Sequence, residues 1–161
     1  MRAHYRWKSN IFSNKVVLYK DDKEVASIND KFFSSTSSAK KNGASYSFKT
    51  KGFFKQTTQI TDNATNKVIG EIKYNAWNNK AEISLLENRL KWKYINMFNT
   101  KWHIEENGNE IINYNSNVSG GTIESKTDNA LMILAGLHVR KYYKQEALTV
   151  LIILLPIILN R

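Results

Sequence analysis

The chain has 161 residues, enough for one domain with a real core, and it contains no cysteine. Disulfides, thiolate catalysis and cysteine-ligated metal are therefore excluded. A net charge of +10 points to anionic partners such as phospholipid headgroups or nucleic acid. The N-terminal Met1-Arg2-Ala3-His4-Tyr5-Arg6-Trp7-Lys8 has no apolar run of the signal-peptide kind, so a cytoplasmic location is expected.

Short strands fill most of the chain. Arg2, His4, Arg6 and Lys8 alternate with Ala3, Tyr5 and Trp7, a period-two pattern with one basic face. Lys15 to Lys20 and Glu24 to Ile28 read as strands joined by a turn at Asp21-Asp22-Lys23. Lys31 to Gly43, with its Ser/Thr run, reads as a loop holding at most one irregular strand. Tyr46 to Lys49, Phe54 to Thr61, Lys67 to Tyr74 and Ala81 to Leu86 follow as strands between polar turns. Arg89-Leu90-Lys91-Trp92-Lys93-Tyr94 is the sharpest alternation, and Lys101 to Glu105 repeats it. Asn107-Gly108 is a strong hairpin signal before Glu110 to Asn115. Val118 to Ser125 closes the series, with a bulge or sharp bend expected at Gly120-Gly121.

The last stretch is different. Ala130 to Val139 carries no charge and only His138 as a polar residue. A helix apolar on all sides must be buried on all sides. From an N-cap at Asp128 to about Tyr143 it would be on the order of 24 Å long, the height of a barrel and too short for a bilayer. Trp7, Phe48, Trp77, Trp92 and Trp102 are expected to face it from the strands. The small step Ala135-Gly136 is where a wall could come close. The expected fold is therefore all-β: a closed antiparallel barrel of about twelve strands around a buried hydrophobic C-terminal helix. The barrel and its helix would occupy residues 1–145, with the helix over about 128–143. Residues 146–161 would form an apolar tail, Ala147 to Leu159 being uncharged. That tail could cap the barrel, pair with another chain or lie in a membrane interface.

Thr127-Asp128-Asn129-Ala130-Leu131-Met132-Ile133-Leu134-Ala135-Gly136 resembles the core-helix segment of the tubby-like C-terminal superfamily. Lys49-Thr50-Lys51-Gly52-Phe53-Phe54, Val68-Ile69-Gly70-Glu71-Ile72 and the surroundings of Tyr142-Tyr143 are similar to segments of its small bacterial members. That superfamily includes phospholipid scramblases, LURP-one-related proteins and tubby proteins. The resemblance implies a twelve-stranded barrel around a central helix and an association with phospholipid. It does not bring calcium dependence with it. Ser119 to Asp128 holds two carboxylates and a lysine, too few oxygen ligands for a calcium loop.

No catalytic pattern emerges. His4, His103 and His138 lack metal-ligand spacing, His4 and His103 being expected on outward strand faces. Glu105 and Glu106, as strand neighbours, point to opposite faces and cannot act as an acid/base pair. The chain is expected to be neither an enzyme nor a cofactor or metal protein. Candidate anion- or lipid-binding residues are Arg2, Arg6 and Lys8; Lys49, Lys51 and Lys55; Arg89, Lys91 and Lys93; and Arg140, Lys141 and Lys144 at the helix exit. Nucleic acid is disfavoured, because aromatic side chains alternating with these charges face inward, away from bases. The expected partner is an acidic phospholipid or membrane surface, with the tail as an anchor at the inner membrane. The alternative is a soluble interaction or scaffold domain whose tail caps its own barrel.

Overall fold

A computed structural model describes residues 1–10, 14–30, 35–51, 56–75, 77 and 79–159. Twelve strands run β1 Ala3–Ser9, β2 Lys15–Lys20, β3 Lys23–Asp30, β4 Thr36–Lys41, β5 Ala44–Lys51 and β6 Thr57–Asp62. They continue as β7 Lys67–Tyr74, β8 Lys80–Leu85, β9 Asn88–Tyr94, β10 Lys101–Glu106, β11 Asn109–Ser116 and β12 Gly120–Ser125. Each pairs antiparallel with its sequence neighbours, and β1 pairs with β12, so the sheet closes into a barrel with no free edge. One helix follows, α1 Ala130–Leu159.

Alternation sets the interior. Tyr5 and Trp7, Leu90 and Trp92, and Trp102 and Ile104 are buried, while Arg6, Arg89 and Lys91 between or beside them are exposed. The first part of α1, Ala130 to Arg140, is buried along its whole circumference. Its contacts reach opposite walls: Trp92 donates to the Gly136 carbonyl at 3.0 Å, Tyr114 donates to the Ile133 carbonyl at 3.1 Å, and His138 packs on Phe48 with centroids 5.0 Å apart. The helix runs closest to β3, with β4 and β8 equally next. The wall at β3 and β4 presents the small side chains of Ala26, Ser37 and Ala39, whereas the diametrically opposite strands β9 and β10 present Trp92 and Trp102. Small residues on the near side and tryptophans on the far side fill the interior around an off-centre helix.

Four expectations need correcting. Residues 36–41 form a regular strand, β4, in the stretch read as a loop with at most one irregular strand; Ser37 and Ala39 point inward, and their small size hides the period-two signal. Gly120 and Gly121 pair in regular register with β1 rather than forming a bulge. There a Cβ on Gly121 would lie 1.8 Å from the Asn115 carbonyl oxygen, so close approach of strands explains the glycine. The N-cap is Asn129, whose Oδ1 accepts from the Leu131 and Met132 amides at 3.2 and 3.4 Å. Asp128 instead takes hydrogen bonds from Tyr5 at 2.9 Å and Lys20 at 2.7 Å. Trp77 is 85% exposed in the β7–β8 connection and does not face the helix.

The strand order also fixes two unlike ends. At the end where α1 starts, tight turns with positive φ join the strands, at Asp21-Asp22, Asn42-Gly43, Asn66, Leu86 and Asn107-Gly108. At the other end, where α1 leaves, the connections include 75–79, 95–100 and 117–119.

Candidate functional site

The chain concentrates its chemistry at the mouth through which α1 leaves. Lys141 to Ala147 are helix formers with no glycine or proline among them, so α1 continues past Tyr143 without a break. The expected end of the helix near Tyr143 is only the point where burial ends.

At the mouth, Arg140, Lys141, Tyr142 and Tyr143 are each held by residues of the rim. His138 is buried, and among the described residues neither ring nitrogen has a hydrogen-bond partner. Burial pushes its imidazole down to about 4; Asp30 opposes that shift and Lys141 adds to it. The Arg140 guanidinium lies over the rings of Trp7 at 4.8 Å and Trp102 at 5.1 Å, two cation–π contacts to an edge-to-face pair inside the mouth. Lys141 pairs with Asp30 and donates to the Asn14 carbonyl at 2.9 Å. Tyr142 stacks on Tyr74 with centroids 3.7 Å apart and donates to Gln56. The Tyr143 hydroxyl donates to the Lys80 carbonyl and accepts from the Asn75 amide at 3.3 Å. Lys144 is exposed. Beside it a cavity of about 250 Å³ is lined by Trp7, Val118, Arg140, Lys141, Lys144 and Leu148, among others.

Beyond the mouth the helix loses all cover. Leu148, Val150, Leu151, Ile152 and Ile153 are 51 to 70% exposed, and Leu154 to Leu159 are similar. These side chains project from the barrel instead of packing over its opening. By length and composition α1 is long and apolar enough to cross a membrane.

The sequence-predicted cations do not form one surface. Arg2, Arg6 and Lys8 lie on β1, Lys49 and Lys51 on β5, and Arg89, Lys91 and Lys93 on β9. These three strands are four steps apart in each direction around the twelve, so the sets face three ways. Several are also engaged: Arg2 with Glu124 at 3.2 Å, Arg6 with Asp22, Lys93 with Glu105 at 2.7 Å, and Lys51 with Gln59 at 2.9 Å. The Lys93 ammonium holds the Glu105 carboxyl below its usual range. Lys55 lies outside the described residues. Of the helix-exit set, Arg140 and Lys141 are committed to the mouth and Lys144 faces solvent.

His103 points outward on β10 as expected, yet it is buried beneath its neighbours. Its Nε2 sits 2.9 Å from Glu105 and its Nδ1 3.1 Å from Glu110. Among the described residues no cluster of His, Asp and Glu has the arrangement of a metal site.

No family model matches this chain, and no curated protein or solved structure was found to match it. What stands is the architecture: a closed twelve-stranded antiparallel barrel with a hydrophobic C-terminal helix.

Proposed function

We propose that the protein is a non-enzymatic membrane-associated binding module of the tubby-like or scramblase kind, held at an acidic phospholipid surface by the second half of α1. One observation carries this: residues 147–159 are a helix with exposed aliphatic side chains on every face, not enclosed by protein. Covering some ten large apolar side chains that are now about half exposed is worth on the order of 10 kcal/mol. A helix apolar on all sides that is not inside protein belongs in lipid. Lys144 and the rim lysines add about 1 kcal/mol each near an anionic surface.

The apolar stretch Ala147 to Leu159 is about 20 Å long at 1.5 Å per residue, against about 30 Å of hydrocarbon. It fits entry into one leaflet better than a full span. The phospholipid-binding character of the tubby-like superfamily agrees with this placement.

Flotation with phosphatidylcholine vesicles, with and without phosphatidylglycerol, tests the proposal. The full chain is expected to float, more completely with the anionic lipid, and a chain ended after Glu146 to stay with the soluble fraction. Equal recovery of both chains in the soluble fraction would instead favour a soluble interaction domain.

A further inference from the structure

The proposal above concerns the helix. The barrel itself carries a second, independent asymmetry. In a meander barrel alternate connections lie at the same end. Those at the end where α1 leaves present Trp77 at 85%, Met97 at 95%, Phe98 at 85% and Val118 at 89% exposure. The three other connections at that end contain, by sequence, Ile11-Phe12, Phe32-Phe33 and Phe53-Phe54. They lie outside the described residues, and the surface is defined without them. The turns at the opposite end are built of Asp, Asn, Thr and Gly, with Leu86 and Val68 as the exposed apolar exceptions.

Charge divides the same way. Lys8, Lys15, Lys51, Lys73, Lys80 and Lys101 stand within one residue of a strand end at the exit rim. Among the described strand ends and connections there, Asp30 is the one carboxylate, and Lys141 neutralises it. At the far end acidic residues such as Asp21, Asp22, Glu24, Asp62, Glu87 and Glu106 offset the bases Lys20, Lys23, Lys40, Lys41, Lys67 and Arg89. The lysines scattered as side patches thus include members of a basic ring around one mouth.

We propose that this mouth rests face-down on an anionic bilayer, with Trp77, Met97, Phe98 and Val118 in the boundary between headgroups and acyl chains. The proposal rests on membrane entry of residues 147–159 and adds the orientation of the barrel and a second set of lipid contacts. Geometry ties the two together. Tyr143 is hydrogen-bonded to Asn75 and Lys80, the two ends of the connection that bears Trp77. Ala147 is four residues further, about 6 Å along the helix. Bringing Ala147 to the interface brings that connection to the same level. Val118 and Leu148 line one cavity, so the β11–β12 connection also meets the first turn of the apolar half. Exposed aromatic and aliphatic tips inside a ring of lysines match an anionic interface in both polarity and charge.

The chain has no cysteine, so single labels can be placed at will. Met97→Cys, Val118→Cys and, at the far end, Leu86→Cys would each carry an environment-sensitive fluorophore. On adding phosphatidylcholine/phosphatidylglycerol vesicles, emission is expected to rise several-fold and shift to the blue at residues 97 and 118 and to stay unchanged at residue 86. Trp7, Trp92 and Trp102 are buried, so brominated lipid should quench Trp77 selectively, and Trp77→Phe should abolish that quenching. Protein that floats while residues 97 and 118 stay as silent as residue 86 would overturn the orientation and leave the anchor standing. Protein that does not float at all would overturn both. A response at residues 97 and 118 without vesicles, growing with protein concentration, would assign the surface to a second copy of the chain and overturn the proposal.

Discussion

The two halves of α1 are nearly alike in composition and opposite in fate. Residues 130–139 and 147–159 are both aliphatic, and both lack a polar face. The first half is enclosed by twelve strands, and the second projects from the barrel with its side chains exposed. Apolar composition therefore says that a helix must leave water, and only its surroundings say where it goes. The join between them is the turn Arg140 to Glu146. Its charges mark the rim: Arg140 lies against two tryptophans, Lys141 is paired with Asp30, and Lys144 turns to solvent.

The comparison is sharpest under an identical substitution in each half. Ile133 is fully buried and Ile153 is 63% exposed. Ile133→Asp places an unpaired charge in the core and is expected to cost upwards of about 4 kcal/mol in chemical denaturation. Ile153→Asp is expected to change stability by less than about 0.5 kcal/mol yet to reduce flotation. Similar stability losses from the two would break the comparison.

Acid titration probes the enclosed half alone. His138 is neutral in the fold, with its imidazole at about 4, against about 6.5 when unfolded. The unfolded chain therefore takes up a proton first as pH falls. Stability should be undiminished by this group above pH 6.5, fall from there down to about pH 4, and level off below, a total of a few kcal/mol. His138→Leu should remove that part of the pH slope, whereas truncation after Glu146 should leave it in place. Urea midpoints across the pH range check this, and an unchanged slope in His138→Leu would refute it.

A smaller effect reports how tightly the wall fits the helix. A Cβ at Gly136 would lie 2.3 Å from the Tyr114 hydroxyl and 2.9 Å from Ile104 Cδ1. Tyr114 cannot easily yield, because its ring stacks on Trp102 with centroids 5.0 Å apart and its hydroxyl is bonded to Ile133. Gly136→Ala is expected to lose about 1–3 kcal/mol through overpacking, and Tyr114→Phe should recover part of it. A neutral Gly136→Ala in a thermal melt would mean that the barrel is looser around the helix than described.

How much of this was legible depends on the kind of signal each element carries. Strong alternation exposed β9 and β10, Asn107-Gly108 marked its hairpin, and ten uncharged residues forced a buried helix. The Ala135-Gly136 step did mark a close approach of the wall. β4 was hidden because its inward side chains, Ser37 and Ala39, are small where the helix passes near. The continuation of α1 was hidden because Arg140 to Glu146 looks like an interruption, while in the barrel mouth Arg140, Lys141, Tyr142 and Tyr143 have partners from distant strands and connections. Trp77 was misplaced because an aromatic near a strand reads as core. The basic sets on β1, β5 and β9 were legible as separate strand faces, and the observed strand order adds that they lie on three sides of the barrel. The apolar mouth could have been found earlier: in a meander every second connection shares an end, and those between β1–β2, β7–β8, β9–β10 and β11–β12 hold Ile11-Phe12, Trp77, Met97-Phe98 and Val118.

Amide hydrogen exchange along α1, with and without anionic vesicles, tests the division of the helix most directly. In monomeric protein free of lipid, amides 134–143 should exchange only on global unfolding and amides 150–159 within seconds to minutes; vesicles should slow the second group and leave the first unchanged. Strong protection of 150–159 in the lipid-free monomer, or exchange of 134–143 as fast as the tail, would contradict the account.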